Sequence, residues 1–186
     1  MSQDEVLERT ASRMDASVED VRGKLATVRT GRATIGILDG ITVEYYGTPT
    51  PLNQVAKLSV PEANLIVAQP FDASILGDME RAIMASDLGL NPSNDGKLVR
   101  IPIPALTEER RKELGKKVRQ MGEDAKTAVR QIRRDANEEL KKLEKKSSIS
   151  EDDSRRAQDE VQKLTDTHTA QIDELTGNKE KELIEI

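Results

Sequence analysis

Three long segments of this chain carry small or apolar residues at alternating spacings of four and three positions. Such a pattern places one narrow apolar stripe along an α-helix, and that stripe must be covered by another helix. Three helices with matching stripes can bury one another, so the pattern predicts an elongated antiparallel three-helix bundle. The stripe residues are Leu7, Ala11, Met14, Val18, Val21, Leu25 and Val28; Leu114, Val118, Met121, Ala125, Ala128, Ile132, Ala136, Leu140 and Leu143; and Ala157, Val161, Leu164, His168, Ile172 and Leu175.

The predicted helices carry start and stop signals at their ends. Ser2 with Glu5 forms a potential capping box, and Thr30-Gly31 stops the first helix. Thr107 opens the second helix, which ends before Ser147-Ser148, and Ser150 caps the third. A helix over residues 107–146 would be about 60 Å long.

Residues 31–105 break the helical pattern and predict a small α/β domain inserted between the first and second helices. The predicted elements are strands over 41–46, 55–60, 65–69 and 98–101, a turn over 47–51, and a helix capped by Asp72. The fold class is therefore α+β, with residues 1–30 and 106–186 in the bundle domain. Two short links near 30–32 and 104–106 contain glycine or proline and form a candidate hinge at Thr30, Gly31, Pro104 and Ala105.

The residue types argue against an enzyme. The chain has no cysteine and a single histidine, His168, so a thiolate nucleophile, a cysteine-ligated metal and a two-histidine metal helix are impossible. His168 lies on an apolar stripe, where we expect a structural role. No phosphate-binding loop is present, so we expect no catalytic residue, no metal and no cofactor. No membrane span or secretion signal is visible, which favours the cytoplasm.

The charge is unevenly distributed along the chain. The net charge is −5 overall, but residues 108–146 carry +5 and residues 151–186 carry −6. On the second helix, Lys112, Arg119, Lys126 and Arg133 recur every seven positions, and Lys116 and Arg130 extend the same face. We call this set the basic stripe. It is either a solvated face or a phosphate-binding surface, and its arginines suit bidentate phosphate contacts.

Two further features bear on nucleic-acid binding. Arg29 and Arg32 form a second basic cluster at the end of the first helix. The predicted bundle has no aromatic residue on which bases could stack, so binding would use phosphates and the shape of a structured RNA.

Gly115 and Gly122 lie seven positions apart on the second predicted helix. Glycine is unfavourable inside a helix, and we expect that these two glycines allow a neighbouring helix to approach closely.

Several long runs closely resemble the bacterial ribosome recycling factor family. They are VRTGRA at 28–33, LDG at 38–40, VEYYGTPTPL at 43–52, AIMASDLGLNP at 82–92, LTEERR at 106–111, VRQIRRDAN at 129–137, ISED at 149–152 and VQKLTD at 161–166. The resemblance covers essentially the whole chain. It implies a three-helix bundle with an inserted α/β domain in an L-shaped arrangement.

The resemblance also implies a function. Members of this family act with elongation factor G, which hydrolyses GTP, to split the post-termination 70S ribosome into subunits, and they catalyse no covalent reaction. The bundle would bind rRNA of the large subunit as a monomer, through residues that match Arg29, Arg32, Arg110, Arg130 and Arg133. Arg119 and Lys126 of the basic stripe join this predicted surface. The inserted domain would face elongation factor G, with Tyr45 and Tyr46 as contact candidates.

One alternative from a different class remains open at this point. The basic and acidic helices could pair between chains, which would make the protein a helical scaffold that joins protein partners. A scaffold of this kind requires a stable oligomer, whereas the family resemblance predicts a monomer.

Overall fold

The computed structural model describes residues 2–185, which form two compact units. One unit comprises residues 2–29 and 108–185, and the other comprises residues 30–107. The bundle range expected from the sequence includes residues 1 and 186, which lie outside the described residues. In chain order the elements are α1 (Gln3–Ala26), β1 (Thr42–Tyr45), β2 (Thr48–Pro51), α2 (Leu52–Val55), β3 (Ala56–Glu62), β4 (Leu65–Pro70), α3 (Leu76–Met84), β5 (Ser93–Asn94), β6 (Val99–Pro102), α4 (Glu108–Lys145) and α5 (Glu151–Ile184).

The first unit is a three-helix bundle made of α1, α4 and α5. Between α1 and α4, ion pairs join Arg9 to Glu139 and Arg13 to Asp135, so the residue numbers rise on one helix as they fall on the other. The pairs of Arg119 with Glu180 and Lys126 with Asp173 show the same for α4 and α5, and α4 therefore runs antiparallel to both neighbours. Val6 of α1 packs in one apolar cluster with Ala136, Leu140, Ala157 and Val161. The combination of a long helical bundle and a small β-containing unit confirms the predicted α+β fold class.

Polar signals set the helix ends. The capping box at Ser2 and Glu5 is present, and the Ser150 hydroxyl accepts a hydrogen bond from the Asp153 amide, as the sequence predicts. The first helix, however, ends at Ala26 rather than at Thr30-Gly31. The Thr27 hydroxyl donates to the Lys24 carbonyl at 2.7 Å and takes up one of the carbonyls left open by the last turn.

The buried face of α1 differs from the predicted stripe at its first two positions. Val6 and Thr10 are buried, whereas Leu7 and Ala11 are half-buried. Threonine can occupy the buried position because its hydroxyl donates to the Val6 carbonyl at 2.6 Å.

The buried face of α4 is rotated in its middle section. Gly122 and Val129 are buried there, while Met121 and Ala125 are half-buried and Ala128 is exposed. The reason is the close approach of α5: a Cβ added to Gly122 would lie 2.7 Å from Thr176 Oγ1. This contact confirms close helix approach as the explanation for Gly122. Gly115 is also buried, but an added Cβ would meet only Arg119 Nη2 at 3.8 Å.

The buried face of α5 includes polar as well as apolar residues. Val161, Thr165, His168 and Ile172 are buried, whereas the predicted stripe residue Leu164 is half-buried. The Thr165 hydroxyl donates to the Val161 carbonyl at 2.8 Å, which makes its burial possible.

The second unit contains a two-stranded and a four-stranded antiparallel sheet. The larger sheet has the strand order β3-β4-β6-β5, and the smaller one pairs β1 with β2. Ile66, Met79, Ile83, Val99 and Ile101 are fully buried and form the centre of the apolar core between sheet and helix. The short strand β5 is not foreseen by the sequence pattern, because two residues without apolar alternation carry no strand signal.

The predicted turn over 47–51 is wrong, since residues 48–51 form β2. The turn is only Tyr46-Gly47, with φ values of 49° and 75°, and it closes the pair Tyr45–Thr48. Hydrogen-bonded pairs alternate along such a hairpin, which leaves Pro49 and Pro51 at positions that donate no ladder hydrogen bond. The strand therefore tolerates both prolines.

The candidate hinge residues differ in burial. Thr30 and Gly31 are buried, and Gly31 has a φ of 77°, a left-handed conformation that glycine adopts without strain. Pro104 and Ala105 are exposed and follow β6 in a segment without regular structure.

Candidate RNA-binding face of the bundle

The basic stripe lies on the flank of α4 that faces α5. Lys126 and Arg119 contact residues of α5, whereas the opposite flank of α4 contacts α1 through Asp135 and Glu139. The burial of Val118, Gly122 and Val129 fixes this orientation, because it turns one side of the helix inward and the basic residues toward the edge.

Two members of the stripe are paired with carboxylates of α5. Arg119 Nε lies 3.3 Å from Glu180 Oε1. Lys126 Nζ lies 3.0 Å from Asp173 Oδ1 and 2.7 Å from Glu123 Oε1, and only 16% of its side chain is exposed. Hydrogen bonds to Glu123 and Asp173 raise the pKa of Lys126, so its ammonium group stays charged and is held against α5.

Arg133 has a different kind of partner. Its Nη1 donates to the amide oxygen of Gln162 at 3.3 Å, and its side chain is half-buried. Within the part of the chain that the structure describes, no carboxylate oxygen lies within 4 Å of Arg133. Its positive charge is therefore not compensated by a direct ion pair.

The outer residues of the same face point away from the bundle. Lys116 and Arg130 are exposed, and among residues 2–185 neither has a carboxylate within 4 Å. Lys112 of this face pairs with Glu108 of its own helix at 3.0 Å, and Arg110, on the other side of α4, pairs with Glu113 at 2.9 Å. Such exposed pairs contribute little to stability and can exchange for a phosphate.

The second basic cluster divides between the two units. Arg29 belongs to the bundle unit and Arg32 to the α/β unit, and both side chains are exposed. In the described residues neither arginine has an ion-pair partner. Both guanidinium groups can therefore accept an anionic partner without first breaking a contact.

The aromatic residues lie in the α/β unit, around the β1–β2 hairpin. Tyr46 is 86% exposed at the turn, and its ring meets that of Tyr45 edge-on with centroids 4.5 Å apart. Phe71, which the sequence analysis did not single out, is 72% exposed and lines a small cleft together with Tyr45 and Val55. Its position directly after the strand-ending Pro70 was the available signal for an exposed aromatic residue.

His168 is buried in the bundle, as its position on the stripe predicts. Its Nδ1 lies 2.6 Å from the Leu164 carbonyl oxygen, and its Nε2 lies 2.7 Å from Asp15 Oδ1. The contact with Asp15 joins α5 to α1, which gives His168 a structural role.

Residues 2–185 contain no group of three or more acidic or histidine side chains arranged to hold a metal ion. None of their helices is both long and apolar enough to cross a membrane.

Comparison with known proteins identifies the family. A family model described as "Ribosome recycling factor" matches residues 21–184. The ribosome-recycling factor of Geobacillus kaustophilus is 57% identical over 182 residues, which are 98% of each chain. That of Nitratidesulfovibrio vulgaris is 53% identical over all 186 residues, which are 100% of both chains.

Solved structures agree with the sequence comparison. A solution structure of the ribosome recycling factor is similar with a TM-score of 0.76 and 37% identity, covering 100% of this chain and 99% of the other. The T. thermophilus ribosome recycling factor, in models with E. coli elongation factor G on the E. coli post-termination complex, has a TM-score of 0.63 and 46% identity over 98% and 99% of the chains. The chain therefore belongs to the ribosome recycling factor family.

Proposed function

We propose that this protein is a ribosome recycling factor that splits the post-termination ribosome into subunits, together with elongation factor G and the GTP which that factor hydrolyses. Splitting allows mRNA and deacylated tRNA to leave. Family membership over nearly the whole chain supports this function. The T. thermophilus relative, bound with elongation factor G to a post-termination complex, supports the partners. The chain acts by binding and movement and forms no covalent intermediate.

The bundle unit binds rRNA of the large subunit through one face of α4. The observation that carries this assignment is the set of basic side chains on that face without a direct carboxylate partner, Arg130 and Arg133 among them. These charges can contact phosphates without first giving up an ion pair. The proposed rRNA-binding residues on this face of α4 are Arg119, Lys126, Arg130 and Arg133. Arg29, in the segment that follows α1, and Arg110, on another side of α4, are further proposed contacts of the bundle unit, and Arg32 is a separate proposed contact of the α/β unit.

Arg119 and Lys126 have a subordinate place in this surface. Both are already paired with α5, so a phosphate would have to compete with Glu180 or Asp173. We assign them a contribution to the local positive potential rather than direct phosphate contacts.

The α/β unit meets elongation factor G, and the hairpin residues Tyr45 and Tyr46 lie at the contact. The exposed Tyr46 ring stands on a two-residue turn with positive φ at both positions, so it presents apolar area on a stiff support. Exposed aromatic residues of this kind are enriched in protein interfaces. Movement of this unit takes place about Thr30, Gly31, Pro104 and Ala105.

The mechanism that follows is a lever. Phosphate contacts hold the bundle on the large subunit, where the long helices act as a rigid arm. Movement of elongation factor G against the α/β unit is transmitted through the hinge and breaks the bridges between the subunits. The protein works as a monomer in the cytoplasm.

Helix pairing within one chain favours the recycling factor over the scaffold alternative. That alternative requires the basic and acidic helices to pair between two chains. Here α4 pairs with α5 of the same chain, through Arg119 with Glu180 and Lys126 with Asp173. Sedimentation at several protein concentrations tests the point, since a stable oligomer would favour the scaffold.

Arg133→Ala tests the RNA-binding face. Arg155→Ala is the control, because it also removes one arginine charge but lies on α5, outside the proposed face. Co-sedimentation with isolated large subunits measures affinity over a range of salt concentrations. Arg133→Ala is expected to weaken binding about tenfold and to reduce the salt dependence by about one released counterion, with an almost unchanged thermal midpoint. Equal affinities of the two variants, or a large loss of stability with normal binding, would make Arg133 structural.

A further inference from the structure

The contacts between α4 and α5 follow a seven-residue repeat. Arg119 pairs with Glu180, and seven residues further along α4 Lys126 pairs with Asp173, seven residues back along α5. In antiparallel helices the next step of this repeat brings together Arg133 and Asp166. The sequence therefore supplies a third oppositely charged pair in the same register.

Arg133 and Asp166 do not form a direct ion pair. Gln162, one turn before Asp166 on α5, stands between the two charged groups. Its amide oxygen accepts a hydrogen bond from Arg133 Nη1 at 3.3 Å, and its amide nitrogen donates to Asp166 Oδ1 at 2.8 Å. The neutral amide of Gln162 is thus hydrogen-bonded to both Arg133 and Asp166.

Arg133 differs from Arg119 and Lys126 in that no carboxylate of residues 2–185 compensates its charge in a direct ion pair. Arg119 and Lys126 each face a carboxylate at salt-bridge distance, which compensates their charge. Arg133 is held by a neutral oxygen, and a guanidinium has five N–H donors, so most of its donors and its full charge stay available. Arg133 is half-buried, and its hydrogen bond to Gln162 links the guanidinium to α5.

We propose that Gln162 is a positioning residue for Arg133: its amide holds the guanidinium in place for an RNA phosphate and keeps the Asp166 carboxylate from neutralising it. The proposal rests on the proposed function, in which this face of α4 binds rRNA. It assigns a role to a residue on the acidic helix that makes no RNA contact itself.

Gln162→Glu tests the proposal because it places a carboxylate where the amide holds Arg133. We expect about tenfold weaker binding to isolated large subunits and a salt dependence reduced by about one counterion, the same change as for Arg133→Ala. The double variant of Gln162→Glu and Arg133→Ala should bind no more weakly than Arg133→Ala alone, because both changes remove the same contact between Arg133 and a phosphate. Gln171→Glu is the matched control: it adds the same charge to α5 in the groove facing α1, and its binding should be close to that of the parent.

Gln162→Met removes both hydrogen bonds and adds no charge. Because it also releases the Asp166 carboxylate toward Arg133, we expect a two- to threefold loss of affinity and a salt dependence between those of the parent and Gln162→Glu. Gln162 is exposed, and thermal midpoints near that of the parent should verify that all variants are folded.

The results distinguish the two proposals. If Arg133→Ala weakens binding but Gln162→Glu behaves like Gln171→Glu, the positioning role is overturned while the RNA-binding face stands. The positioning role is also overturned if Gln162→Met binds large subunits with the affinity and salt dependence of the parent. If Arg133→Ala leaves both affinity and salt dependence unchanged, the RNA-binding face itself is refuted, and the role of Gln162 falls with it.

Discussion

Gly122→Ala is expected to destabilise the bundle, although alanine is the better helix former. In an exposed helix interior this exchange stabilises by about 1 kcal/mol. At position 122, however, the new Cβ would lie 2.7 Å from Oγ1 and 3.2 Å from Cγ2 of Thr176. Rotation of Thr176 does not relieve the contact cheaply, because Oγ1 donates to the Ile172 carbonyl at 2.7 Å and a rotation would bring another heavy atom toward the Cβ.

The magnitude follows from two opposing terms. Overpacking costs about 1–3 kcal/mol, and the helix propensity offsets about 1 kcal/mol of it, so the net loss is about 0–2 kcal/mol. Gly23→Ala in α1 is the matched control, since an added Cβ there meets no atom within 4 Å. The two variants should therefore differ by about 1–3 kcal/mol, or roughly 2–4 °C in thermal midpoint per kcal/mol.

Urea unfolding followed by far-ultraviolet circular dichroism measures this difference, because α1, α4 and α5 contain most of the helical residues. Thr176→Ala provides a second check. It removes the two closest atoms, so Gly122→Ala made in that background should be neutral or stabilising. If Gly122→Ala stabilises the parent as much as Gly23→Ala does, close helix approach is not the reason for this glycine.

Three further predictions concern a cap, a turn and a carboxylate. Ser150→Ala should cost about 1 kcal/mol, because it removes the hydroxyl that caps α5 through the Asp153 amide; chemical denaturation measures the loss, and an unchanged midpoint would contradict the capping role. Tyr46→Gly should stabilise the β1–β2 hairpin by about 1 kcal/mol, because glycine adopts the φ of 49° without strain; hydrogen exchange of residues 42–51 measures this, and faster exchange would count against it. The same change should slow subunit splitting, because it removes the exposed ring, and a normal splitting rate would count against that role. Hydrogen bonds from Gln131 and then Arg13 lower the pKa of Asp135, so its contribution to stability is present above the ordinary carboxyl range near pH 4 and is lost as the pH falls through the lowered value. Asp135→Asn should therefore lose less stability than the parent between about pH 5 and pH 3 in denaturant titrations, and identical pH profiles would refute the assignment.

Much of the fold could be predicted because helix periodicity and capping residues are local signals. The capping residues Ser2 and Ser150 and the break at Ser147 depend on neighbouring residues only, and the structure has all three. The exact buried face could not be predicted, since it depends on what a neighbouring helix brings close. Thr10 is buried because its hydroxyl donates a hydrogen bond to the preceding turn, and Gly122 is buried because Thr176 lies close to it. A hydrophobicity scale contains neither effect.

The α/β unit shows the same limit. Proline and glycine at 47–51 predict a turn, yet the antiparallel register allows prolines at alternate positions of β2. For the candidate site, the seven-residue repeat identified the basic stripe on α4. The pairing of Arg119 and Lys126 with α5, and the different partner of Arg133, depend on the register between two helices, which one helix alone does not specify.

Light scattering of post-termination ribosomes tests the proposed function most directly. Ribosomes from a matched bacterium are mixed with this protein, elongation factor G and GTP, and each component is omitted in turn. The account predicts a fall in scattering only when all components are present, and a slower fall with Arg133→Ala than with Arg155→Ala. Unchanged scattering in the complete mixture would contradict subunit splitting by this protein, and equal rates for the two variants would contradict the RNA-binding face of α4.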